Sequence, residues 1–177
     1  GRGDAHFSQQ NFKAATEDYQ HATRAAPKHA EAHLKLGMSL QAQQKTSEAE
    51  KAYRAALQIE PQLALAYNNL AAMAPQNRTP AKQTVAWAEK AVQLAPDAAA
   101  FLDTLGWAYY QAGMLDKART TLERALARDA RAADTHYRLG AVLTALNRKL
   151  EAKTALRKAL AIQPQHPEAK AALAKLK

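Results

Sequence analysis

An all-α array of antiparallel helix pairs is the fold class that this sequence predicts, and three observations carry the prediction. Of the 177 residues, 44 are Ala, the strongest helix former and a side chain small enough for helix backbones to approach closely. Proline recurs at Pro27, Pro61, Pro96 and Pro164, each after an amphipathic segment, with gaps of 34, 35 and 68 residues, the last being twice 34. The segments between these prolines repeat one order of small and large apolar side chains. Residues of the apolar set make up 47% of the chain, but about half of them are Ala. Such a chain cannot fill one thick core and must instead build many thin helix-to-helix contacts.

Each element follows from the repeat. Segment 30–63 places Leu36-Gly37, Leu40, Ala49, Tyr53, Ala56 and Pro61 at positions 7, 8, 11, 20, 24, 27 and 32. Segment 99–132 has Leu105-Gly106, Tyr109, Ala118, Leu122 and Ala125, with Ala130 where Pro is expected, and segment 133–166 has Leu139-Gly140, Leu143, Ala152, Leu156, Ala159 and Pro164. Segment 1–29 carries Gly3, Ala15, Tyr19, Ala22 and Pro27, a partial repeat without its first residues. Segment 64–98 diverges, with Leu70-Ala71 in place of Leu-Gly and one extra residue before Pro96, and 167–177 remains as a capping helix. Small residues at positions 8, 20 and 27 belong where two antiparallel helices come closest. Larger ones at 7, 11 and 24 fill the space around them, and Pro at 32 ends the second helix.

Helices are accordingly expected at 1–9, 12–26, 30–42, 46–59, 63–73, 80–95, 99–112, 115–129, 133–146, 149–162 and 166–177. Thr46 or Ser47 before Glu48 reads as an N-cap, and Thr79 as the cap before a first-turn Pro80. Gly113 and Asn147 stand in turns between paired helices, where a left-handed residue is needed.

These motifs cover nearly the whole chain and resemble the tetratricopeptide repeat family. The resemblance implies a right-handed superhelical solenoid of antiparallel helix pairs and a non-catalytic scaffold that binds a peptide or helix of a partner protein in its concave groove. In that family the first helix of each repeat lines the groove. Carried onto this chain, the peptide-binding residues are Lys35, Met38, Asn68, Asn69, Asp103, Trp107, Tyr110, Tyr137 and Arg138. Trp107, Tyr110 and Tyr137 are rigid anchors of the kind that dominate binding energy, and the amides of Asn68 and Asn69 offer donor and acceptor to a peptide backbone. Trp107 and Tyr110 can equally fill space between neighbouring helices. Family members that clamp chaperone C-terminal carboxylates carry Lys and Asn where this chain has Leu34 and Met38, Asn at Asn69, and Lys and Arg where it has Ala100 and Thr104. One match in five disfavours that subtype.

The stretch Leu-Asp-Thr-Leu-Gly-Trp at 102–107, after Asn-Asn-Leu-Ala at 68–71, resembles bacterial repeat proteins of the cell envelope and of exopolysaccharide export. This implies a periplasmic or membrane-associated assembly in preference to the cytoplasm. A regulatory or targeting segment of a larger enzyme, such as a glycosyltransferase, and a self-associating scaffold stay open as alternatives. Gly1 in place of an initiator Met is what a processed or excised segment would show.

Enzyme chemistry finds no footing. Without Cys there is no thiolate nucleophile, disulfide or Cys-ligated metal, and the sequence holds no phosphate loop or nucleophile elbow. Neither a cofactor nor a membrane span is expected. His29 and His33 are four residues apart, but His-Ala-Glu-Ala-His is not a zincin pattern, and His33 shares its repeat position with His136, so both read as packing residues. Asp103 beside Trp107 reads as a polar contact for a peptide rather than a catalytic acid.

Net charge is +9, and all of the excess lies late in the chain. Residues 1–116 hold 11 Lys/Arg and 11 Asp/Glu; residues 117–177 hold 14 and 5. Arg119, Arg124, Arg128, Lys149, Lys153, Arg157 and Lys158 fall on second helices, away from the groove aromatics. That surface suits an acidic partner or an anionic polymer; nucleic acid is disfavoured because no stacking aromatics share it.

Overall fold

The computed structural model describes residues 1–74 and 79–176. Among them are eleven helices and no strand: α1 (Arg2–Ser8), α2 (Phe12–Ala25), α3 (Ala30–Ala42), α4 (Thr46–Ile59), α5 (Ala64–Met73), α6 (Ala81–Leu94), α7 (Ala99–Gln111), α8 (Leu115–Arg128), α9 (Ala133–Ala145), α10 (Lys149–Ile162) and α11 (Pro167–Lys175). Every predicted helix is present, with ends displaced by no more than two residues. The chain divides into two compact units, Gly1–Pro75 and Gln76–Lys177, and the boundary falls inside the divergent segment 64–98.

In the first unit each helix packs on the next from α1 to α5, and α3 also meets α5. The tightest point of the α3–α4 hairpin is Gly37 against Tyr53: a Cβ on Gly37 would lie 2.5 Å from the ring. Tyr53 and Ala49 are completely buried beneath it. This is the packing that the 8/20/24 pattern encodes, because only a residue without a side chain lets the ring lie against the helix backbone.

In the second unit the helices again pack sequentially from α6 to α11, with further contacts of α7 to α9 and of α9 to α11. Gly106 lies over Leu122 as Gly37 lies over Tyr53, with its Cβ position 2.6 Å from the Leu122 Cγ. Leu143, Ala152, Ala155, Leu156 and Ala159 form a core that Ala169 and Leu176 complete, with Leu173 packed at its edge. Thus the last helix closes the apolar end of the α9–α10 hairpin.

The turns joining paired helices share one device. Gln10, Gln44, Gly113 and Asn147 stand at the same repeat position, and all have positive φ: 59°, 61°, 74° and 63°. Gly113 and Asn147 are as expected; Gln10 and Gln44 show that the turn forces the conformation even on a residue that resists it. Two expected caps are corrected. Thr46 is the first residue of α4, whose N-cap is Lys45 with no side-chain cap, because the left-handed Gln44 delivers the chain into the helix one residue early. Pro80 is itself the N-cap of α6, extended at φ −56° and ψ 135°, so Thr79 lies before the cap.

The working caps are Asn11, His29 and His166. Asn11 accepts from the Ala14 N–H through its side chain, and the two histidines accept through Nδ1 from Ala32 (3.1 Å) and Ala169 (3.3 Å). His33 and His136 also share a role, each ring Nε2 lying 3.0 Å from a carbonyl of the preceding turn, Pro27 and Ala130. Among the described residues no His/Asp/Glu group is arranged to hold a metal ion, and no helix is long and apolar enough to cross a membrane.

Candidate functional site

The predicted groove residues fall into two groups, one in each compact unit. In the second unit the structure gathers five of them. Trp107 and Tyr110, three residues apart on α7, share a helix face and stack with centroids 4.8 Å apart and planes at 26°. Tyr137 on α9 lies 6.4 Å from Trp107 and 5.1 Å from the ring of His166. The Arg138 guanidinium sits 5.4 Å from the Trp107 centroid and pairs through Nη1 with Asp103 Oδ2. The result is a continuous, half-exposed strip of ring surface whose orientation is fixed from behind by an ion pair.

The electrostatics of this strip follow from burial. Asp103 is largely enclosed, and desolvation pushes its carboxyl above the usual range while Arg138 opposes the shift. Burial, with Glu168 and Tyr110 nearby, likewise raises the Tyr137 phenol. Tyr137 therefore stays a neutral donor at physiological pH. Its support was not foreseen: His166, 3% exposed, bridges from the Ala169 N–H to Asp134 Oδ1 at 2.9 Å and so fixes the ring against which Tyr137 packs. A signal existed, since His29 and His166 both directly precede a first helix and both have Glu two residues later. His is not among the preferred cap residues, so the pattern does not stand out in the sequence.

In the first unit three of the four predicted residues, Lys35, Asn68 and Asn69, are engaged within the fold. The Lys35 ammonium is 2.8 Å from both Asp4 and Glu31. These hydrogen bonds, Asp4 first, hold its pKa well above the ordinary lysine value. The Asn69 amide donates to the Tyr53 hydroxyl at 3.1 Å, which in turn donates to Gln41 at 2.6 Å. Asn68 is 9% exposed and donates to Asn69 Oδ1 at 3.3 Å. Met38 is half-buried on α3. Asn68, Asn69, Tyr53 and Gln41 thus form a hydrogen-bonded network that ties α5 to α4 and α3, separate from the Lys35 ion pairs.

The basic second-helix residues lie where the sequence places them, on α8 and α10. Arg119 pairs with Glu123 and Arg128 with Asp97. Arg124, Lys149, Lys153, Arg157 and Lys158 have no carboxylate at ion-pair distance among the described residues.

With this geometry in place, comparison with known proteins identifies the repeat. The tetratricopeptide repeat model matches residues 1–64, 34–99 and 104–167. No curated protein matches the chain. Among solved structures, YrrB, described as a TPR protein with an unusual peptide-binding site, is 22% identical over 96% of this chain and 87% of that one, with a TM-score of 0.77. MamA is 21% identical over 93% of this chain and 96% of its own, with a TM-score of 0.78. The thermophilic TPR protein TTC0263 of Thermus thermophilus is 20% identical, covering 98% and 94%, with a TM-score of 0.75. At these identities the structural likenesses establish the fold alone. Tetratricopeptide proteins are in general non-catalytic scaffolds for protein–protein interaction. The chain belongs to the tetratricopeptide repeat family.

Proposed function

We propose that the chain is a non-catalytic scaffold that docks an extended segment or helix of a partner protein on the α7–α9 face of its second unit. The observation that carries this reading is the half-exposed strip Trp107–Tyr110–Tyr137, oriented by the Asp103–Arg138 pair. Rigid rings of this kind give large contact area for little lost rotamer entropy. Lys35, Met38, Asn68 and Asn69 belong to the first unit and are not part of this proposed face; Lys35 and Asn69 are held by Asp4, Glu31 and Tyr53. The peptide-binding site ascribed to YrrB supports the class of ligand. We extend the proposal to a bacterial envelope or polysaccharide-export assembly, on the strength of the 102–107 stretch following Asn-Asn-Leu-Ala at 68–71.

A phage-displayed library of random peptides panned on the full chain tests the reading. The expected result is a set of peptides whose binding is lost when Trp107→Ala and Tyr110→Ala are combined. Peptides that bind the double variant unchanged would place the site elsewhere.

A further inference from the structure

The second helices of three repeats carry charged residues at the same two positions, 21 and 25, one helical turn apart. In α4 these are Glu50 and Arg54, paired at 2.9 Å. In α8 they are Arg119 and Glu123, paired at 2.9 Å with the order reversed. In α10 they are Lys153 and Arg157, two like charges. Lys149 lies one further turn back, so α10 carries a stripe of three cations at i, i+4 and i+8. The nearest acid in sequence is already occupied, because Glu151 is bound by Arg148 at 2.6 Å.

Like charges one turn apart destabilise a helix, whereas the ion pairs on α4 and α8 support theirs. Lys149 and Arg157 are exposed and Lys153 is half-buried, and no carboxylate among the described residues lies at ion-pair distance from any of them. Beside the stripe stands Leu150, 81% exposed and the most exposed large apolar side chain described. It lies three residues from Lys153 and seven from Arg157, and so on the same flank of the helix. Phosphate polymers would use the cations but not the leucine.

We propose that the outer face of α10 binds an acidic segment of another protein, with carboxylates about 6 Å apart and an apolar side chain beside them. The i, i+4 rise in α10 is about 6 Å. That matches Glu repeated every fourth residue of a helix, or every second residue of an extended chain at about 6.7 Å. This surface lies on a second helix, and its occupation does not depend on the α7–α9 reading.

The test uses the full chain and two fluorescent probes: a peptide of three Glu-Leu-Ala-Ala repeats and an oligodeoxythymidine of equal charge. The peptide is expected to bind in a salt-dependent way and to lose about tenfold or more in affinity to the combined Lys149→Glu, Lys153→Glu and Arg157→Glu variant. Lys153→Glu alone recreates the order seen at Glu50 and Arg54. It should therefore leave the melting temperature unchanged or raise it while weakening the peptide, a pairing that a merely unfolded variant cannot produce. Leu150→Ser should weaken the peptide and leave the oligonucleotide unaffected. Peptide binding absent from the wild type or indifferent to the charge reversals overturns the proposal, and so does oligonucleotide binding that is tighter than the peptide's and lost with the same cations.

Discussion

The first helices of the two units put their polar side chains to different use. On α3 and α5, Lys35 and Asn69 are consumed by partners inside their own unit, Asp4, Glu31 and Tyr53. On α7 and α9 the polar pair Asp103–Arg138 is likewise internal, but it holds up aromatic surface instead of ending the network. Lys35, Asn69 and Arg138 share one repeat position and are drawn into the fold in both units; Met38 and Trp107 share another and are half-buried in both, and the second unit differs in placing a ring there. The turns differ as well: the first unit uses Gln10 and Gln44 in the left-handed region where the second uses Gly113 and Asn147.

The largest expected effect probes what the units share. Gly106→Leu drives a side chain into Leu122, whose Cγ already lies 2.6 Å from the Cβ position. Urea denaturation should show a loss of about 3 kcal/mol. Next comes the ring surface of the second unit: Trp107→Ala with Tyr110→Ala should cost a panned peptide about 2 kcal/mol, or roughly 30-fold in Kd by titration calorimetry, with the far-UV spectrum unchanged. The turns give a smaller effect of opposite sign. Gln44→Gly should stabilise the protein by about 1 kcal/mol in thermal unfolding, because it relieves a left-handed non-glycine residue.

The units should also answer pH in opposite senses. Lys35 first, then the terminal amine and the Tyr19 hydroxyl, hold the Asp4 carboxyl far below the usual range. Its contribution is complete above the unfolded-state pKa and is lost as pH falls. Burial raises Asp103, so its contribution is complete below the unfolded-state pKa and is lost as pH rises through the folded value. Asp4→Asn should therefore weaken the protein at neutral pH, and Asp103→Asn should spare or strengthen it there. Both differences should narrow as denaturation is repeated at lower pH through the carboxylate range. The smallest effect sharpens the comparison most: Lys35→Ala should leave the affinity of the panned peptide within about twofold, as expected when a side chain is engaged elsewhere.

Much of this architecture is legible in the sequence because it is local and periodic. Gly37, Ala49 and Tyr53 in one hairpin, and Gly106, Ala118 and Leu122 in another, announce their close approach by spacing alone. The left-handed turns at Gly113 and Asn147 are legible for the same reason, whereas Gln10 and Gln44 carry no such signal. The aromatic strip was readable as a set of residues on first helices. Its geometry was not, because the hold of Arg138 on Asp103 spans 35 residues and the support of His166 for Tyr137 spans 29. The engagement of Asn69 by Tyr53 is non-local too, so the sequence offered both amides as equally free.

The most direct test of the central claim uses the two tryptophans. Trp87 is 8% exposed on α6, and Trp107 is half-exposed on α7, so an amide proton–nitrogen NMR spectrum carries one indole signal from each. Titration with a panned peptide should move the Trp107 indole signal and leave the Trp87 indole and the Asn69 side-chain amide in place. A titration that leaves Trp107 still and shifts Asn69 would contradict the account and move the docking face to the first unit.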